Sequence, residues 1–179
     1  MRSITMAGAM FLLASILNAA PTGMSNAAPQ KKEYLSEAEA DKIREAGTTG
    51  PRIALFAAFA SDRIKKLQYE FAHIDPTDQK RTDRLNSLIN GYTGCIDDAA
   101  DLIEIGIEKQ QDIRDGVKAM QLGIKEFLPY LQGLAMNGVE RETYKENLED
   151  AIEATQDAAK DVDKAAKETP AAPVRRKPS

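Results

Sequence analysis

From Leu85 to Leu134 the apolar side chains recur at steps of three and four without a change of phase. Leu85, Ile89, Tyr92, Ile96, Ala99 and Ile103 lead through Gly106 and Gln110 to Ile113, Val117, Met120, Ile124, Phe127, Leu131 and Leu134. These steps place side chains on one face of an α-helix and scatter them over both faces of a strand. A stripe of this length has to be buried against other helices. Two arrangements satisfy it. One is a single helix from about Thr77 to Met136, a rod of roughly 90 Å. The other folds back at a tight turn over Gly106–Asp112, with Asp112 capping a new helix. The unbroken phase favours the rod, whereas Gly106 and Gln110 fill little of a seam and favour the break. The turn is preferred, because the neighbouring helix needs more apolar surface than one partner supplies.

The rest of the chain reads the same way. Val occurs four times, and no stretch alternates β-branched with polar residues. Ser36 and Glu39 form a capping box for a short first helix, with Leu35 placed to staple against Ala40. Gly47 ends that helix. Pro51 suits the first turn of the next, which is expected to run to about Ile74. Its stripe is Ile53, Phe56, Ala60, Ile64, Leu67, Phe71 and Ile74, widened by Leu55 and Phe59. Asp75-Pro76 stops it, and Asp75 is placed to cap the following helix. After the turn signal Asn137-Gly138, a last helix carries Tyr144, Leu148, Ala151, Thr155, Ala158, Val162 and Ala165 on one face. The expected fold class is all-α, an antiparallel helical bundle of about four long helices plus a short N-terminal helix.

The N-terminus has the pattern of an export signal. Arg2 precedes the uncharged, mostly apolar run Ile4 to Leu17, and Ser25-Asn26-Ala27 offers small residues at the positions signal peptidase requires. The run is short for a spanning helix, which needs about 20 apolar residues. The expected organisation is a signal peptide over 1–27 cut after Ala27, a linker over 28–35, the bundle over 36–168 and a disordered basic tail over 169–179. Cleavage removes Arg2 and no acid, so the 24 basic residues become 23 against 28 acidic ones, formally −5. The expected location is periplasmic or secreted, with no stable membrane anchor after cleavage.

Composition excludes several function classes. Net charge is −4, so there is no overall basic surface for nucleic acid. One Cys and one His cannot supply a Cys-only or multi-histidine metal site within one chain. No phosphate loop, Gly-x-Ser-x-Gly elbow, His-Glu-x-x-His, EF-hand loop or haem-attachment motif is present.

Four features of the sequence are candidate sites. Glu70-Phe71-Ala72-His73 has the Glu-x-x-His spacing of di-iron bundles, but such sites need the motif twice plus two further Glu, and His73 lies off the apolar stripe. Cys95 reads as a buried apolar thiol, with a disulfide between chains as the alternative after export. Glu140, Glu142, Glu146, Glu149, Asp150, Glu153, Asp157, Asp161 and Asp163 interleave with lysines and read as a solvated face, as do Asp97, Asp98, Asp101 and Glu104. Arg175-Arg176-Lys177 reads as a solubilising tail. No catalytic, cofactor-binding or metal residue is assigned, and no cofactor is expected. The expected role is a non-enzymatic, exported protein–protein interaction module working through its helix faces, with a homodimer compatible. The alternative is a small-ligand or metal-binding bundle with a cavity lined by Phe56, Phe59, Tyr92 and Phe127.

Overall fold

A computed structural model describes residues 34–168. The expected signal peptide, most of the linker and the basic tail lie outside the described residues. Within them the chain forms α1 (Glu37–Glu45), α2 (Thr49–Ala72), α3 (Arg81–Glu108), α4 (Arg114–Asn137) and α5 (Lys145–Glu168), with a 3-10 turn at Arg141–Thr143 before α5. The helices pack on one another as an all-α bundle, with no strand among the described residues.

The stripes make the core. Every apolar stripe residue named for α3, α4 and α5 is buried, as are Ile53, Phe56, Ala60, Ile64 and Leu67 on α2. Two expectations on the α2–α3 connection are corrected. Ile74 is not in the stripe: α2 ends at Ala72, and Ile74 is exposed in the loop beyond it. Nor does α3 start near Thr77. The Asp75 carboxylate accepts from Thr77 N and Oγ1 at 2.9 and 2.7 Å, closing a local turn instead of capping α3, which starts at Arg81.

The long register is broken, as the turn reading requires. Gln111 N donates to Gly106 O at 2.8 Å and Gln110 N to Ile107 O at 3.0 Å, the paired bonds of a Schellman closure. Gln110 takes the left-handed position of that motif, with φ 53°, where glycine is usual. Gly106 is needed for a different reason. A Cβ there would lie 2.5 Å from Ile113 Cγ2, so its missing side chain seats the first apolar residue after the turn. Asp112 does not provide the cap proper: that position falls to Ile113, while the Asp112 carboxylate takes Arg114 Nε at 2.8 Å.

Consecutive long helices run antiparallel, but sequence neighbours are not all spatial neighbours. α2 packs beside α3 and α4, and α5 beside the same two. The α3–α4 turn therefore crosses the bundle diagonally, and Tyr92 meets Phe127 edge-on across the core at 5.7 Å. The lateral pairs α2/α4 and α3/α5 are consequently parallel. The starts of α2 and α4 touch through glycines: a Cβ on Gly116 would lie 2.6 Å from Gly50 O. On α3 and α5, Asn147 Nδ2 donates to Asn86 Oδ1 at 2.6 Å, and the buried hydroxyls of Tyr92 and Thr155 lie 2.7 Å apart.

Candidate binding groove between α2 and α3

Because α2 and α3 are antiparallel neighbours, one stripe from each lines the outer groove between them. On α2 it is Arg63, Lys66 and Glu70; on α3 it is Arg84, Leu88 and Gly91, at helical steps of three and four. Glu70 faces Arg84, and Arg63 faces Gly91. The groove has an open half and a covered half.

The open half is a cleft of about 380 Å³ lined by Lys65, Lys66, Tyr69, Glu70, Arg84, Ser87 and Leu88. Tyr69 is 62% exposed and stacks on the His73 ring at 4.1 Å. Three cations and one carboxylate thus border an apolar floor, in a chain whose overall charge is negative. The carboxylate is already engaged. Arg84 holds both Glu70 oxygens, at 3.0 and 2.9 Å, and also reaches Asp78 at 2.6 Å. The Arg84 hydrogen bonds hold both carboxyls below their usual range. Lys66 pairs with Asp62 at 2.7 Å, an exposed couple that salt weakens.

One end of the cleft is fixed by Arg81, a buried guanidinium. Its Nη1 donates to Glu70 O at 2.6 Å, its Nε to Glu140 Oε2 at 2.9 Å, and it lies over the Phe71 ring at 5.4 Å. Glu140 reaches it from a left-handed backbone position, φ 60°. The α2–α3 and α4–α5 connections are thereby tied together. Four of the six large apolar side chains exposed among the described residues sit at this end of the bundle: Tyr69, Ile74, Met136 and Val139.

The covered half lies under residues 34–46. Arg63, only 7% exposed, donates from Nη2 to Glu39 Oε2 at 2.8 Å and to Tyr34 O at 3.1 Å. Its Nη1 bonds the other Glu39 oxygen and Phe59 O. These bonds from Arg63 bring the Glu39 carboxyl down to about 2. Arg63 Nε lies 3.6 Å from where a Cβ on Gly91 would be, an ordinary contact, whereas Gly94 is needed to accommodate the Tyr34 ring, which would meet a Cβ at 2.7 Å.

The candidate residues of the sequence fall elsewhere or play other parts. His73 caps α2, and its Nδ1 lies 2.9 Å from Tyr69 O, while the Glu70 carboxylate is committed to arginines, so the two do not converge. No three His, Cys, Asp or Glu side chains among the described residues gather as a metal cage. Cys95 is fully buried. The α5 carboxylates are exposed apart from half-buried Asp161, and Glu140 precedes α5. Phe56 and Phe59 pack edge-on at 6.4 Å, and Tyr92 does so with Phe127; all four are buried in the core and none lines the cleft. Among the described residues no helix is long and apolar enough to cross a membrane.

Sequence reasoning missed Arg63 and Arg81. The available signal was position: Arg63 sits four residues after Phe59 and four before Leu67, at the edge of the α2 stripe, where a solvated charge is out of place. Comparison with protein-family models, curated proteins and solved structures finds no match.

Proposed function

We propose that this protein is an exported, non-enzymatic binding module that takes a carboxylate-bearing segment of another protein in the α2–α3 groove. The observation that carries this reading is the cleft itself: Lys65, Lys66 and Arg84 above Leu88 and the exposed Tyr69 ring, in a chain of net charge −4. Lys65, together with Lys66 once a docking carboxylate replaces its exposed partner Asp62, complements an acidic, partly apolar segment, while Arg84 stays on Glu70 and Asp78. The exposed aromatic supplies the flat contact area typical of protein-binding anchors. The same end of the bundle also exposes Ile74, Met136 and Val139. The N-terminal sequence directs the module to the periplasm or exterior, where its partner would be met.

A photo-reactive phenylalanine analogue at position 69, in the exporting cell, tests this. Irradiation is expected to give a covalent adduct with a second protein. The same analogue at position 153, on the acidic face of α5, gives none, and the paired change Lys65→Glu, Lys66→Glu reduces the position-69 adduct at least fivefold. Equal adducts from both positions, or none from position 69, would overturn the reading.

A further inference from the structure

We propose that residues 34–46 are a releasable strap seated in the inner half of the α2–α3 groove, with Glu39 and Arg63 as its latch. The strap stands where a partner's carboxylate would otherwise dock. That identification of the displaced occupant rests on the reading of the groove given above; the strap and its latch rest on the observations that follow.

The strap's own helix is weakly anchored. α1 contributes no fully buried residue: of its large apolar side chains only Ile43 packs, half-buried, against the core, so the helix gains little from apolar burial. A helix of nine residues does not persist alone in water. What holds it is local and mostly polar. Leu35 is buried, Arg52 Nε donates to Ala46 O at 2.8 Å, and Arg63 takes both Glu39 oxygens together with Tyr34 O. The Ser36–Glu39 capping box gives Glu39 a second task, since its Oε2 also accepts from Ser36 N at 2.9 Å. One carboxylate therefore both starts the helix and fastens it.

The seat is built for a removable occupant. Gly94 leaves a trough on α3 filled by the Tyr34 ring, which a Cβ there would meet at 2.7 Å, and the Arg63 side chain lies beside Gly91 at ordinary contact distance. Along α2, Arg63 lies three residues before Lys66, so the trough runs directly into the open cleft. With the strap in place the groove offers one half. With the strap gone it offers a continuous channel with Arg63, Lys66 and Arg84 along it. The chemistry of the present occupant, a carboxylate at the start of a short helix, states what Arg63 accepts. A few residues between the helices provide the hinge: α1 ends at Glu45, α2 begins at Thr49, and a side chain at Gly47 would meet nothing within 4 Å.

Amide hydrogen exchange on the full mature chain, with no partner added, tests the strap separately from the docking reading. In the wild type, α1 amides are expected to exchange at least tenfold faster than the buried-stripe amides of α3, as a unit that opens below global unfolding. Glu39→Gln and Arg63→Met should each speed α1 exchange at least a further tenfold while α3 to α5 amides keep their rates. Arg63→Met leaves the capping box untouched, so it separates release from simple fraying of α1. Glu37→Gln, which alters an exposed carboxylate of the same helix, should leave the rates alone. Exchange of α1 in step with the whole bundle, or α1 rates unmoved by Arg63→Met, would overturn the proposal.

Discussion

The Tyr92–Thr155 pair shows how unequal the two ends of one buried contact are. The Thr155 hydroxyl also bonds Ala151 O at 2.6 Å, so it keeps a partner if Tyr92 loses its oxygen. The Tyr92 hydroxyl has no such second bond, and burial pushes its pKa up, keeping it neutral. Tyr92→Phe should therefore cost at most about 1 kcal/mol, and Thr155→Val about 1–3 kcal/mol, because only the second strands a buried polar group. Urea denaturation decides it: equal costs, or the reverse order, would mean Thr155 is not the Tyr92 partner. The sequence made the apolar half of this level legible, because each stripe residue from Leu85 to Ala165 announces its burial by spacing alone. It did not show the buried arginines. Arg63 is bonded by Glu39, 24 residues away, and Arg81 by Glu140, 59 residues away. No local pattern records which distant carboxylate will neutralise a guanidinium, and burial without that neutralisation would be prohibitive.

Helices were readable as elements, while their ends and partners were less so. The Ser36–Glu39 capping box was legible because both of its bonds are made within four residues. The turn after α3 was legible as the preferred of two readings by a narrow margin, because its closure puts Gln110 where glycine would have declared it. The diagonal step from α3 to α4 has no local signature: it depends on the glycines at 50 and 116 meeting from helices that are distant in sequence. The α1 latch does permit a pH prediction. Its carboxyl, Glu39, has an ordinary value near 4.5 and is held at about 2 by Arg63. A depressed carboxyl gives stabilisation that is complete above its unfolded value and disappears as pH falls through its folded value. The attachment of α1 should accordingly be intact at pH 6 and be lost progressively from about pH 4.5 to pH 2, a window set by those two values. Amide chemical shifts of Ala38 to Ala46 followed through an acid titration should show that transition, and Glu39→Gln should abolish it. An α1 transition centred well above pH 5 would mean that another group holds the helix.

For the whole molecule, processing and compactness are the two properties that bear on how it meets a partner. If residues 1–27 direct export, intact mass of the protein recovered from outside the cytoplasm should correspond to a chain starting at Ala28; retention of Met1 would remove the case for an extracytoplasmic partner. Compactness follows from the break at Gln110. A rod running through that position would leave its stripe half filled and would need a second chain along its length, because exposed apolar surface of that extent is not tolerated by a monomer. The bundle instead buries the α3 and α4 stripes against α2 and α5 within one chain. A compact domain of this size has a radius of gyration of about 15 Å. A rod of roughly 90 Å would exceed about 25 Å, its length divided by the square root of twelve. Small-angle scattering of the mature chain should give a value close to the first, with a forward intensity that matches one chain. A value in the rod range, or a mass twice that of the chain at low micromolar concentration, would mean that the stripes are shared between copies and that the groove is an interface already filled.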